Sequence, residues 1–382
     1  MALVYLLLSA LLHRGSLMIN LLKLFSDTFD PQPGETALVL FDTPHGAIGD
    51  TPEWERRRAM AQRWHAALGE LGRRRGFQVL ALASFPATGS HNAQLPEQGL
   101  LGDAPMPLSS LAEQATLLLA LTQFSASAPL IGWTQRFPKL RVASMPMIAP
   151  EMEETALAAD YTQVARSCAR LRDRLAVADY AQICFSNSDT LTLDLRYRTA
   201  HVDDGQLRPD KAPPRLVNLP SGEAYTAIYE GECDGEPSAT RGVLPVEWRA
   251  EVVRLEIDHN QVTDVLGLSE AAVDLRAFLA LDGARRNVAE LGLGCNPNAR
   301  VWGNVLEDEK AGPHIALGRS EHLGGNTGPA AFEDPRHVWH YDFVYARASA
   351  LYIAELTLTD GRGAADHLVL DGHYVEELEI GI

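Results

Sequence analysis

The sequence predicts an α/β domain followed by an α+β domain with a mixed sheet, and three observations predict it. Between residues 36 and 82 apolar runs of buried-strand type alternate with an amphipathic helix. Beyond residue 186 short strands outnumber helices. With 382 residues, 46% hydrophobic and 22% charged, the chain is large enough for two cores and shows no compositional sign of disorder. The expected boundaries are 1–17 for an N-terminal extension, 18–186 for the α/β domain and 187–382 for the second domain.

Residues 2–12, Ala-Leu-Val-Tyr-Leu-Leu-Leu-Ser-Ala-Leu-Leu, are the one membrane-like stretch. They fall short of the roughly 20 residues that a bilayer needs. No basic residue precedes them, as a signal peptide wants. They read as an upstream start or an apolar N-terminal helix, with Met18 as an alternative beginning and a secreted form left open. Residues 36–41 form a strand and 42–46 a turn. Thr51 then caps a helix that has Pro52 at its first position and an apolar stripe through Met60, Trp64, Ala67 and Leu71. Residues 77–82 make the next strand, expected parallel through a right-handed connection. Gly46-Ala-Ile-Gly49 lacks the glycine spacing of a dinucleotide loop, so nucleotide binding is set aside.

Residues 84–109, rich in Gly, Pro, Ser and Asn, read as an exposed loop, 111–121 as a helix, and 126–133 and 141–145 as short strands around a turn. A long helix is expected over 152–175, its Arg166, Arg170 and Arg172 lying on a solvated face. Strands follow at 181–185 and 190–196. The second half offers a hairpin, 253–258 with 261–265, joined by His259-Asn260, then a helix over 270–281. The tail, 350–358 and 368–374, reads as paired strands closing a mixed sheet.

The net charge of −17, from 33 basic and 50 acidic residues, argues against nucleic acid or an anionic membrane as partner, since both need basic patches. Cys168, Cys184, Cys233 and Cys295 stand far apart without a Cys-x-x-Cys, which suggests neither a disulfide framework nor a thiolate zinc site. A reduced cytoplasm fits.

Chemistry concentrates in residues 287–342. Glu290, the run Glu307-Asp308-Glu309-Lys310, His314 and the pair His340/Asp342 lie there between short apolar runs. Residues two apart in a strand share a face, so His340 and Asp342 can approach one ion together. Imidazole with carboxylate suits zinc, cobalt, manganese or iron(II) better than calcium or magnesium. Singly these residues have plainer readings: a surface His-x-Asp, a solvated acidic turn, a Lys310 that serves as counter-charge rather than as partner to a developing oxyanion. Upstream, Gly222 on a sharp turn can aim Glu223 inward, where a cation would hold it ionised. His13, His45, His65, His91 and His201 read as surface or core residues, and Cys295 as a small buried one.

The wording Asn218-Leu-Pro-Ser-Gly-Glu223, Ala289-Glu290-Leu-Gly-Leu-Gly-Cys-Asn-Pro297, Glu307-Asp308-Glu309-Lys310, His314-Ile-Ala-Leu-Gly318 and His340-Tyr341-Asp342 occurs in that order. Together it resembles the aminopeptidase T and aminopeptidase S type of metallopeptidase, over about residues 215–345; the N-terminal half agrees in general layout. The resemblance implies a catalytic C-terminal domain holding two divalent ions (zinc, cobalt or manganese) on Glu223, Glu290, Glu309, His314, His340 and Asp342, with Glu223 or Glu290 bridging. It implies a small peptide substrate cut after its N-terminal residue, and a homodimer. The family's tyrosine seven residues beyond the first histidine is here Glu321, followed by His322, which makes Glu321 a candidate acid/base beside the metals. Some relatives of this fold use a single iron(II) on two histidines and a carboxylate to cleave hydroxylated pyridine rings, and His314, His340 and Asp342 could supply that triad. A metal-stabilised binding protein without turnover is the third reading.

Overall fold

The computed structural model describes residues 19–213, 215–378 and 380; the apolar 2–12 stretch, Met18 and Pro214 lie outside the described residues. The chain divides into two compact units, one reaching Tyr161 and including Gly205–Pro220, the other made of Thr162–Asp204 and the chain from Ser221 onward. The sequence suggested a single cut near residue 186. The division differs because the 180–194 strands pair into a sheet of the second unit, while Leu216–Asn218 pairs with Arg141–Pro146 in the first.

In the first unit the strands Leu216–Asn218, Arg141–Pro146, Leu117–Thr122, Thr36–Thr43 and Ala83–Pro86 lie side by side and parallel. The antiparallel pair Gln98–Leu101 and Ala104–Pro107 extends the edge, so this sheet is mixed. Leu38, Leu40, Leu118, Ala120 and Val142 form its core with Leu111 and Leu130 from the helices. The helix Pro52–Arg75 starts where expected: Thr51 Oγ1 accepts the Trp54 N–H at 3.2 Å, and Gly76 in the left-handed region ends it.

Other expectations for this unit are corrected. The predicted 111–121 helix is a short one, Leu108–Gln114, followed by the strand Leu117–Thr122, every residue of which is buried. A strand buried on both faces has no alternation to set it apart from buried helix. Residues 126–133 belong to the helix Ser127–Arg136 rather than to a strand. The 84–109 loop contains the edge hairpin, turned at Gly102 with φ +59°. The 77–82 strand shrinks to Gln78–Val79, and Ala83–Pro86 takes the main place beside Thr36–Thr43. The long 152–175 helix is in fact the helix Tyr161–Leu175 preceded by 3-10 turns at Pro150–Glu153 and Ala156–Ala158.

Two sheets, both antiparallel, build the second unit; the mixed sheet of the fold is the one in the first unit. The larger has eight strands and includes the expected hairpin Glu251–Asp258 with Gln261–Leu266. Its linking residues His259 and Asn260 have φ of 48° and 67°, the left-handed pair that a two-residue hairpin demands. The tail strands Ile353–Thr359, Ala365–Leu370 and His373–Tyr374 close this sheet. The smaller sheet runs His201–Asp203, Glu223–Ala227, Val288–Gly294, Pro313–Gly318, His340–Val344. No helix among the described residues is long and apolar enough to cross a membrane.

Candidate metal centre

Strand alternation builds the site. In Val288–Gly294 the side chains of Leu291 and Leu293 are fully buried on one face, which leaves Glu290, Gly292 and Gly294 on the other. Register carries that face across the sheet. Ala227, Glu290, Ala316 and Asp342 form one row, and Tyr225, Gly292 and His314 the next, with Glu223 opposite Gly294 and Asp203 opposite Glu223. Only Ala316 stands between the rows' two acids. Gly292 has to be glycine, because a Cβ there would collide with the His314 imidazole. Gly222, at φ +132° and packed on Asn296 and Val164, turns the chain so that Glu223 enters this face.

At one end of the face His340 Nε2 lies 3.2 Å from Glu290 Oε2 and 3.4 Å from Asp342 Oδ1. One ligand atom from each of Glu290, His340 and Asp342 falls within 4.8 Å of the others. The His340 Nδ1–H donates to the Arg319 carbonyl at 2.7 Å, which directs Nε2 at the acids. His314 Nε2 bridges inward, 3.9 Å from Glu290 Oε1 and 3.5 Å from Glu223 Oε2. At the other end the Lys310 ammonium, fully buried, sits 2.6 Å from both Glu223 Oε1 and Glu309 Oε1 and 3.6 Å from Asp203 Oδ2. Lys310 is thus a counter-charge.

Ionisation follows these contacts. Burial opposes charge on Glu290, yet hydrogen bonds from His314 and His340 more than offset it and hold the carboxyl well below the usual range. Asp342 is likewise lowered, burial being outweighed by His340. Burial pushes Glu309 up to about 8, against the pull of Lys310. His314, despite burial, is raised to about 10 by Glu290, Glu223 and Asp342, and His340 rises well above its ordinary value beside Asp342 and Glu290. Asp203 is pushed up to about 6, first by burial.

This donor set fits a divalent cation. Two imidazoles and a cluster of carboxylates offer the mixed nitrogen and oxygen shell of zinc, cobalt, manganese or iron(II). A histidine whose second nitrogen is fixed by a backbone carbonyl is oriented as metal-bound histidines are. Glu223 Oε2 is buried with no hydrogen-bond partner, an orphan that a cation would satisfy.

Six of the seven residues named from sequence, Glu223, Glu290, Glu309, His314, His340 and Asp342, lie on or beside this one face. Glu321 does not join them. Its carboxylate is held by Arg319 at 2.7 Å, its side chain is 50% exposed, and it is the exposed His322 whose ring stands edge-on to His340, with centroids 4.9 Å apart. Two residues of the face escaped the sequence reading. Tyr225 was reachable, because it is two positions beyond Glu223 on a strand. Asp203 was not: only the antiparallel pairing of His201–Asp203 with Glu223–Ala227 brings it in. Cys295 is a buried free thiol, 3.4 Å from that of Cys168.

The description of the thermophilic metalloprotease family (M29) matches residues 145–331. Over this segment, just under half of its length, the chain is similar to the M29 family. That family is one of metalloproteases, hydrolases that depend on metal. The M29 segment includes Glu223, Glu290, Glu309 and His314, whereas His340 and Asp342 lie just past its end and are tied to it by strand pairing. The chain is also similar in structure to the 2,5-dihydroxypyridine dioxygenase of Pseudomonas putida KT2440, with 16% identity, a TM-score of 0.62, and 93% of this chain and 96% of that one covered. Wild-type AmpT from Thermus thermophilus is similar too, at 16% identity and a TM-score of 0.53, covering 93% of this chain and 99% of that one. At such identity these two likenesses speak to the fold. No curated protein sequence matches the chain.

Proposed function

We propose that this protein is an M29-type aminopeptidase that removes N-terminal residues from small peptides with the help of two divalent ions. The observation that carries the reading is the convergence of Glu290, His314, His340 and Asp342 with the unpartnered Glu223 Oε2 on one sheet face. Glu290, His340 and Asp342 would hold one ion, and His314 with the free oxygen of Glu223 would turn to a second. When bound, such ions supply Lewis acidity and a water whose pKa is lowered towards neutrality.

The chain's own groups do the rest. Glu223 Oε2, buried and without a hydrogen bond while Oε1 is held by Lys310, is the oxygen left to meet the second cation. Tyr225 stays protonated, since burial and the neighbouring Asp203 and Glu223 push its phenol up, and its O–H can donate to the oxygen that gains charge. The excess of carboxylates suits the cationic α-amine of a peptide. Glu309, paired with Lys310, balances charge rather than binding metal tightly.

A second reading is favoured by the same lysine. Lys310 already occupies the space between Glu223 and Glu309, which leaves one compact cluster of ion size. A single iron(II) acting on a dihydroxypyridine-like ring with dioxygen would sit in that cluster of Glu290, His340 and Asp342, and the triad expected from sequence needs His314 to turn in and take the place of Glu290. Metal content per chain, measured beside turnover of aminoacyl arylamides and of a dihydroxypyridine, separates the two. About two zinc, cobalt or manganese ions with arylamide hydrolysis supports the peptidase. One iron with ring cleavage discards it.

A further inference from the structure

Away from the acid face, the second unit contains a cavity of about 710 Å³ that none of Glu223, Glu290, Glu309, His314, His340 or Asp342 lines. Pro313 lines it, and because Pro313 and His314 are successive strand residues their side chains leave opposite faces. Val301, Ala346 and Val369 add to its apolar wall. The volume lies within the roughly 300–1,000 Å³ of small-molecule sites.

Its charge is of one sign. Arg300 and Arg347 line the cavity with His373 and no Asp or Glu, in a chain of net charge −17. Neither guanidinium has a carboxylate partner among the described residues, although Arg196, Arg254 and Arg319 of the same unit each sit on an acid. Arg347 is also braced. Its guanidinium carbon lies 4.4 Å from the centre of the Tyr352 ring, and its stem crosses Gly372, where a Cβ would collide with Arg347 Cδ. A guanidinium held in place without an anion is preorganised to receive one.

We propose that this cavity binds a small carboxylic acid with an apolar body, the carboxylate paired by Arg347 and Arg300 and the body laid against Val301, Pro313 and Val369. The apolar walls favour a monoanion of this kind over a free, strongly hydrated phosphate. Because the metal ligands do not line the cavity, occupancy leaves peptide hydrolysis unobstructed.

Calorimetric titration of the full chain tests this with octanoate, 1-octanol and inorganic phosphate as probes. Octanoate should bind once per chain, with 1-octanol and phosphate each weaker by about tenfold or more, the worth of a charge-assisted hydrogen bond or of the buried chain. Arg347→Ala should weaken octanoate by a similar factor and Val369→Trp should block it, with metal content unchanged in both. Arg347 is exposed, so its variant folds even if the second does not. Absence of saturable octanoate binding, equal binding of octanol, or indifference to Arg347→Ala would overturn the assignment. So would sedimentation showing a dimer that excludes octanoate. Metal stoichiometry and arylamide turnover are read separately, so failure here leaves the peptidase reading standing.

Discussion

The two ends of the acid face solve the same problem differently. At one end Glu290 and Asp342 are kept ionised by His314 and His340; at the other Glu223 and Glu309 are kept company by Lys310. An imidazolium can give up its proton and become a ligand, whereas the Lys310 ammonium, raised well above its ordinary value by Glu223 and Glu309 despite burial, cannot. The histidine end is therefore built to exchange its positive charge for a metal, and the lysine end to keep its own.

Substitution at the histidine end should have the largest effect. Asp342→Asn should lower metal affinity by more than the roughly 10–100-fold typical of residues that only support a ligand, and hydrolysis with it, as read by metal analysis and arylamide rates. Unchanged metal content would remove Asp342 from the ligand set. Lys310→Met breaks the other end: with Glu223 and Glu309 left buried and unpaired, unfolding of the metal-free protein should become easier by about 3–5 kcal/mol. Added zinc should recover part of that loss; if denaturant midpoints stay put, the contrast between the ends is false.

Gly292→Ala sharpens the comparison from the backbone. The added methyl displaces the His314 ring, so metal affinity should fall by about 10–100-fold, while thermal stability without metal changes less than in Lys310→Met. Acidity gives a smaller, graded effect. His314 and Glu309 both have folded pKa values above their ordinary ones, so the stability they contribute is full at low pH. It is lost as pH rises through about 8 for Glu309 and about 10 for His314. The melting temperature of chelator-treated protein should fall across that window, and zinc uptake near neutrality should release protons; a flat profile would contradict the raised values. Least of all, Glu321→Gln should change turnover by less than about twofold, as for surface substitutions generally. A loss as deep as that of Asp342→Asn would restore Glu321 to the chemistry.

Much of this face could be read without coordinates, for a physical reason. Period-two alternation puts Glu290, Gly292 and Gly294 on one side and His340 and Asp342 on one side, and small residues mark where side chains must crowd together. What stayed hidden depended on pairing between distant segments, such as Asp203 beside Glu223, or on burial from both sides, such as the Leu117–Thr122 strand. Glu321 shows the limit of inferring a role from spacing. The 3-10 turn Glu321–Leu323 leaves the acid on Arg319 and puts His322 beside His340.

Lys310 bears on how the enzyme matures. Because the ammonium neutralises two acids internally, the polypeptide can reach its folded form before any ion arrives, and loading becomes a late event governed by supply. Without divalent ions the second unit would then keep its fold, and a later supply of metal would meet a preformed face rather than an unfolded chain.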